Sequence, residues 1–219
     1  MDRPRAEDDG QAQLDLISEP DGVVSEAYRT LRTNLLHSFV DGPPGVIVLA
    51  SPVAAKKHSS ACGNLAVSFA HVGKRTLVVD CDLRRPLMHK LFGLRNLYGL
   101  TDVLAGRSRL QDVWQEPLPG LGVLTAGAPT PGAVDLLESS KFDDLLGLMR
   151  QEFDIVLIDA PSLETVSDAA ILATKGDGVL LLLDARDTRK APVRRAVHEL
   201  KTVGANVLGT VLCDADSGR

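Results

Sequence analysis

Six short apolar runs, each separated from the next by a longer stretch, are the feature that most restricts the fold of this chain. Each run is almost continuously apolar, which is typical of strands buried on both faces of a parallel sheet. The runs are VIVLA (46–50), TLVVD (76–80), LGVLTAG (121–127), DIVLIDA (154–160), GVLLLLDA (178–185) and NVLGTVLC (206–213). The stretches between them are long enough for crossover helices, so the order predicts repeated βαβ units in an α/β fold.

The residues outside these runs divide the chain into two short tails and one domain. Residues 1–17 are rich in Asp, Arg and Gln and predict a flexible tail. From Pro20 to Phe39, apolar residues spaced three or four apart predict a helix before the first strand. Residues 116–120 contain two prolines and a glycine and predict a local turn. We therefore predict one domain over residues 18–213, followed by a short tail at 214–219.

The charge and composition of the chain restrict its partners. A net charge of -5 argues against a nucleic-acid-binding protein, which usually carries an excess of basic residues. No apolar run approaches the roughly 20 residues that span a bilayer, and the polar N-terminus has no apolar signal-peptide core. The three cysteines lack a metal-binding spacing and suit a reducing compartment. We therefore expect a cytoplasmic protein that reaches the inner face of the membrane through a partner.

Three aspartates end or follow two of the predicted strands. The run TLVVD ends at Asp80 and leads to Asp82, and DIVLID ends at Asp159. In an open parallel sheet, ligands bind outside the carboxyl ends of the strands. Hydrated Mg²⁺ is a natural partner there, because it takes one or two carboxylates together with phosphate oxygens. Each aspartate taken alone fits a cap of the following helix or turn, but the three together favour a metal–nucleotide site.

Three longer motifs stand out along the domain: SEAYRTLRTNL (25–35), VDCDLRRP (79–86) and DIVLIDAP (154–161). They resemble the N-terminal helix, the second acidic motif (Walker A′) and the Walker B motif of the bacterial tyrosine kinases of capsule and exopolysaccharide synthesis (BY-kinases), within the MinD-like P-loop ATPases. Further matches in the same order are FGLRNLYGLTDVLAG, VSDAAILA and GANVLGTVL. The resemblance implies a three-layer P-loop NTPase-like fold with a mostly parallel central sheet and helices on both faces. It also implies an ATP-dependent protein-tyrosine kinase with ATP and Mg²⁺ as cofactors.

The same resemblance implies roles for individual residues. Asp80 and Asp82 would be catalytic and would orient Mg²⁺ and the attacking hydroxyl group. Asp159 would hold Mg²⁺ through water, with Asp80 as another metal ligand. Arg84 and Arg85 follow the second acidic motif and would contact phosphate or a neighbouring subunit.

The N-terminal helix carries a motif that the resemblance links to self-association. Glu26, Arg29 and Arg32 fit the family's E-x-x-R-x-x-R pattern. On a helix they share one broad face, and the alternative interpretation is a solvated charged face. The resemblance further implies a homo-oligomer, or a hetero-oligomer with an active kinase, that docks on a transmembrane polysaccharide co-polymerase or activator.

The phosphate-binding loop departs from the family pattern. The family's loop reads approximately S-P-x-P-G-E-G-K-S-T, whereas residues 51–60 read SPVAAKKHSS without a gap. The two glycine positions hold Ala55 and Lys57, the lysine position holds His58, and the serine that coordinates Mg²⁺ is retained as Ser59. The nucleotide-binding positions of this degenerate loop are Ala55, Lys56, Lys57, His58, Ser59 and Ser60.

Each departure weakens a nucleotide site for a physical reason. A cradle of inward-pointing N–H groups often needs positive φ, and a non-glycine residue held there costs roughly 1–2 kcal/mol. The lysine normally reaches the β- and γ-phosphates, whereas the histidine at position 58 has a shorter side chain without a permanent positive charge. The position of the family's adenine-reading asparagine holds Cys213. The C-terminal tyrosine cluster is also missing, since the chain has only Tyr28 and Tyr98.

Three functions are compatible with this pattern. The first is a pseudokinase or regulatory subunit of cell-surface polysaccharide synthesis and export, with lost or weakened phosphoryl transfer. The second is an active, atypical tyrosine kinase or ATPase in which Lys56 or Lys57 replaces the missing lysine. The third is a MinD-like positioning or partitioning ATPase, against which the acidic net charge argues. We favour the first, because several nucleotide-related features are altered while the fold-bearing runs are intact.

Overall fold

The computed structural model describes residues 14–37, 39, 43–54, 57–130, 132–164 and 168–214. The strands are β1 Val46–Ala50, β2 Thr76–Asp80, β3 Gln115–Leu118, β4 Leu121–Leu124, β5 Ile155–Asp159, β6 Gly178–Asp184 and β7 Val207–Cys213. The helices are α1 Asp15–Ser18, α2 Val23–His37, α3 His58–Ala70, α4 Met88–Leu91, α5 Leu100–Leu104, α6 Leu110–Val113, α7 Ala133–Glu138, α8 Ser140–Glu152, α9 Asp168–Lys175 and α10 Lys190–Thr202. In this part of the chain, no helix is long and apolar enough to cross a bilayer.

The strands form one sheet in the order β3-β4-β2-β5-β1-β6-β7. All neighbouring pairs are parallel except β3 with β4, which confirms the predicted, mostly parallel sheet. The edge strand β3 lies partly in residues 116–120, where the sequence predicted only a turn. Pro117 argued against a strand here, because proline lacks the N–H that a sheet ladder needs. Proline is nevertheless tolerated in an edge strand such as β3.

Side chains on the two faces of the sheet enter two separate cores. Along β1, Ile47 and Leu49 pack with α1–α4, whereas Val46, Val48 and Ala50 pack with α5–α10. All five β1 residues are buried. This explains why the runs are continuously apolar, and it confirms the three-layer arrangement with helices on both faces.

The domain begins earlier than the sequence predicted. Residues 14–17 were assigned to a flexible tail, yet Leu14 and Leu16 are buried against α3. The Leu16 N–H donates to Asn64 Oδ1 at 3.1 Å, and Asn64 Nδ2 donates to Asp15 Oδ2 at 3.0 Å. The polar composition of the preceding residues obscured these two leucines. The rest of the predicted N-terminal tail, and residues 215–219 of the C-terminal one, lie outside the described residues.

We expect Asn64→Ala to lower the free energy of unfolding by about 1–2 kcal/mol, because the buried Leu16 N–H loses its acceptor. Urea unfolding followed by circular dichroism measures this change. The matched control is Asn206→Ala, whose exposed amide donates to the Asp177 carbonyl and should matter less. Equal losses for the two variants would contradict the docking of the N-terminal segment on Asn64.

Candidate functional site

The candidate site lies at the carboxyl edge of the sheet, where β2, β5 and β1 are neighbours. Asp80 ends β2 and Asp159 ends β5, and these two residues are partners in the parallel register. Ser51 follows the end of β1 at the same edge. The fold therefore brings together the acidic strand ends that the sequence analysis singled out.

Asp80 is fully buried, and one of its two carboxylate oxygens accepts hydrogen bonds. Its Oδ2 accepts hydrogen bonds from the backbone N–H groups of Leu87 and Met88, at 3.1 and 3.0 Å. Its Oδ1 has no hydrogen-bond partner among the described residues. Burial, and then the nearby carboxylate of Asp159, raise the pKa of Asp80 well above its ordinary value. The side chain therefore needs either a proton or a cation.

Asp159 is also fully buried, and His58 stands beside it. The imidazole Nε2 lies 3.1 Å from Asp159 Oδ1, an ion-pair distance, but the two groups are not oriented to form a hydrogen bond. Because His58 is the first residue of α3, this helix carries the imidazole directly to the acidic edge. The residue at the predicted lysine position thus lies against the aspartate of the predicted Walker B motif.

An open cleft of about 230 Å³ lies over this edge. Its lining includes Ser51, His58, Ser59, Asp82 and Arg85. Asp82 Oδ1 accepts a hydrogen bond from the backbone N–H of Arg85 at 3.0 Å, which holds the second acidic motif in a turn. The retained loop serine and Asp82 therefore line the same cleft as His58.

Lys57 takes part in a different contact. Its Nζ lies 2.6 Å from Asp214 Oδ1, immediately beyond the end of β7. The sequence did not indicate this pair, because the two residues are 157 positions apart and no motif links them. The other candidate lysine, Lys56, lies with Ala55 outside the described residues.

A second and larger cavity, of about 480 Å³, lies between α2 and the end of β7. Lys57, Ser60, Tyr28 and Cys213 line it. Sequence analysis had assigned Cys213 to the position of the family's base reader, but it did not predict a cavity there. Burial raises the pKa of the Cys213 thiol, which is then a neutral, weakly polar group.

The two arginines of the second acidic motif differ in their surroundings. Arg84 Nη1 donates to Asp168 Oδ2, and Asp168 is a buried carboxylate in the first turn of α9. Arg85 lines the cleft and lies at the limit of ion-pair distance from Asp82, at 4.0 Å. Of the two, Arg85 lines the cleft, and its contact with phosphate stays a prediction. Asp168 lies in the VSDAAILA motif, but its pairing with Arg84 was not predicted.

The residues predicted for self-association make contacts within the domain. Arg29 donates to Glu26 Oε2 at 2.9 Å and to the Pro20 carbonyl at 2.8 Å. Arg32 donates to the Ser68 carbonyl on α3 at 2.9 Å. Arg32 therefore helps to hold α2 on α3, whereas Arg29 makes local contacts at the start of α2. The role of the three residues in oligomerisation stays a prediction.

The acidic part of the site fits a hydrated divalent ion. Asp80 and Asp159 present buried oxygens without hydrogen-bond partners, which a metal ion and its water ligands would satisfy. Within the described residues, no three His, Cys, Asp or Glu side chains converge on a metal position. Such an ion would therefore depend on water and phosphate oxygens. No lysine is described near these acids, and His58 occupies that place.

The chain is similar to several tyrosine-protein kinases, although no family model matches it. It is 32% identical over 195 residues to the putative tyrosine-protein kinase CapB of Staphylococcus aureus, which covers 89% of this chain and 86% of CapB. It is 34% identical over 203 residues to the tyrosine-protein kinase YwqD of Bacillus subtilis, which covers 92% of this chain and 86% of YwqD.

Solved structures give the same result. The chimerical protein CapA2B2 superposes with a TM-score of 0.86 at 30% identity, over 92% of both chains. The septum site-determining protein MinD from Pyrococcus horikoshii, complexed with Mg-ADP, has a TM-score of 0.65 at 23% identity, which shows a common fold alone. The acidic strand ends and these similarities lead to one assignment. The chain belongs to the family of bacterial tyrosine-protein kinases.

Proposed function

We propose that this protein is a kinase-like subunit of cell-surface polysaccharide synthesis with weak or absent phosphoryl transfer. In this proposal it acts as a pseudokinase or regulatory subunit, alone as a homo-oligomer or together with an active kinase. The relatives CapB and YwqD are named tyrosine-protein kinases, and a further relative is a putative tyrosine-protein kinase in the cps region of Klebsiella pneumoniae.

The contact between His58 and Asp159 is the observation that carries this proposal. A lysine at the first position of α3 would bring a permanent positive charge and a long, flexible reach to the phosphates. The imidazole instead lies 3.1 Å from a buried carboxylate that also belongs to the predicted metal site. Lys57 cannot supply the missing charge while it pairs with Asp214.

The alternative of an active, atypical kinase rests on the acidic residues. Asp80, Asp82 and Asp159 are all present, and two of them have oxygens free to bind a hydrated ion. In that alternative, Lys56 or a released Lys57 supplies the positive charge. A MinD-like positioning ATPase has less support, because the likeness to the P. horikoshii MinD extends to the fold alone.

A membrane-bound partner forms part of the proposal. In the putative tyrosine-protein kinase EpsB of Ralstonia solanacearum, the region similar to this chain covers only 26% of the protein. The kinase-like region there is thus covalently joined to further segments. We propose that this chain works at the inner face of the cell membrane with a transmembrane co-polymerase or activator.

Calorimetry with Mg-ATP and a γ-phosphate release assay test the proposal. We expect turnover to be at least about 100-fold below that of YwqD, because the charge that faces the transferred phosphoryl group is missing. We also expect the double variant Asp80→Asn/Asp82→Asn to lower this residual rate very little. Micromolar ATP affinity with turnover equal to that of YwqD, abolished in the double variant, would establish the active alternative instead.

A further inference from the structure

Positive charge is concentrated in one short part of this acidic protein. Residues 186–201 contain six basic residues and two carboxylates, a net charge of +4. Because the whole chain carries -5, the remaining residues carry -9. The segment comprises the loop after β6 and most of α10, which covers one face of the sheet. A positively charged surface on a protein that is otherwise negatively charged needs a physical explanation.

The helix α10 separates its apolar and basic residues. Ala196 and Leu200 are buried in the core, whereas Lys190, Arg194 and Lys201 are exposed. At 3.6 residues per turn, these three cations lie within about 40° of one another around the helix axis. They extend for about 16 Å along it, at 1.5 Å per residue. Arg189 immediately precedes the helix and is exposed too.

These four residues, Arg189, Lys190, Arg194 and Lys201, are termed the basic stripe. Within the described part of the chain, none of the four has a salt bridge to a carboxylate. By contrast, Arg195 lies farther round the helix, and its Nη2 is 3.7 Å from Glu164 Oε1. The sole carboxylate of α10, Glu199, is turned about 180° from Lys190. The stripe is therefore a row of cations without internal neutralisation.

The composition of the stripe favours a lipid surface over a protein partner. Protein interfaces have an apolar core with aromatic residues and are depleted in lysine. No large apolar side chain of α10 is among the exposed ones, and the nearest, Val203, follows the helix. A layer of anionic headgroups needs no apolar contact, because each Lys or Arg near its surface contributes on its own.

We propose that the basic stripe binds the anionic headgroups of a phospholipid membrane. Each Lys or Arg near such a surface strengthens partitioning about fivefold, so four give weak binding that salt screens within about 8–10 Å. The acidic remainder of the protein repels the same surface. Binding therefore orients the domain with α10 against the membrane and adds to any tether that a partner provides.

Vesicle co-sedimentation of the whole chain tests this proposal. We expect binding to phosphatidylcholine vesicles that contain phosphatidylglycerol, no binding to pure phosphatidylcholine, and release on addition of salt. The variant Lys190→Gln/Arg194→Gln/Lys201→Gln should lose binding at least tenfold, since about fivefold is expected for each cation. Circular dichroism establishes that the variants are folded.

The matched control removes three exposed cations elsewhere: Lys90→Gln/Arg95→Gln/Lys141→Gln. It changes the net charge equally and should keep most of the vesicle binding. The proposal is overturned if the two variants lose binding alike, or if the wild type fails to bind anionic vesicles at low salt. Tighter retention on duplex DNA than on vesicles would also overturn it, in favour of a nucleic-acid surface. None of these outcomes depends on whether the site transfers phosphate.

Discussion

Restoring the loop by Ala55→Gly/Lys57→Gly/His58→Lys is expected to raise ATP turnover about 100-fold above the wild type. The two glycines remove the conformational obstacle to a cradle of N–H groups. The lysine brings a permanent cation to the first position of α3, where the imidazole now lies 3.1 Å from Asp159. Removing Lys57 also ends its pairing with Asp214. Phosphate release and ATP affinity by calorimetry measure the change.

The matched control is Ala55→Gly/Lys57→Gly/His58→Met, which restores the glycines without the charge. It should bind ATP better than the wild type if the backbone matters, but it should gain little turnover. If the lysine-containing variant shows no gain, the loop does not limit activity, and the proposal based on His58 is wrong. If the wild type already turns over as fast as YwqD, the protein is an active kinase.

Replacement of Asp80 by Asn is expected to stabilise the protein by roughly a few kcal/mol at neutral pH without metal. Asp80 is buried beside Asp159, and both burial and that neighbour raise its pKa. An amide is neutral at every pH, and its Oδ1 can still accept from the Leu87 and Met88 N–H groups. The substitution therefore keeps the two hydrogen bonds and removes the cost of keeping a buried carboxyl group either charged or protonated at neutral pH.

The sign of the pH dependence follows from the raised pKa. Below the ordinary carboxyl pKa of about 3.9, Asp80 is protonated in both the folded and unfolded states. As the pH rises above that value, the unfolded chain ionises while the folded protein retains its proton, so the free energy of unfolding falls. This fall ends once the pH passes the raised pKa of the folded state. Asp80→Asn should flatten the curve over that interval.

Urea unfolding in the presence of a chelator, from acid to neutral pH, measures both effects. The control is Asp144→Asn on the exposed side of α8, which should change the free energy of unfolding very little. Added Mg²⁺ should stabilise the wild type more than Asp80→Asn, because the ion neutralises the same carboxylate. Destabilisation by Asp80→Asn, or an unchanged pH dependence, would contradict this account of the site.

The sheet was predictable because a strand that is buried on both faces consists almost entirely of apolar residues. The strands that became β1, β2 and β5 are almost continuously apolar, and all their residues are buried. The edge strand β3 shows no such apolar run, since it is only partly buried and contains Pro117. The burial of Leu14 and Leu16 was not predicted, because two leucines among polar residues are too few to form a helical or strand periodicity.

The acidic part of the candidate site was predictable for a topological reason. The carboxyl ends of neighbouring parallel strands meet at one edge, so Asp80 and Asp159 had to lie close together once β2 and β5 were adjacent. The partners of the cations were not predictable in this way. The pairs Lys57–Asp214 and Arg84–Asp168 join residues 157 and 84 positions apart, and side-chain reach decides them.

By itself, the sequence of this protein determined the fold class, the acidic edge and the loss of the loop glycines and lysine. Short-range periodicity and strand-end chemistry suffice for these, because they depend on residue type and order alone. Tertiary structure decided what the substituted residues do. It placed His58 against Asp159, drew Lys57 to Asp214 and gathered unpaired cations on one face of α10, because such contacts depend on distances that a linear sequence does not contain.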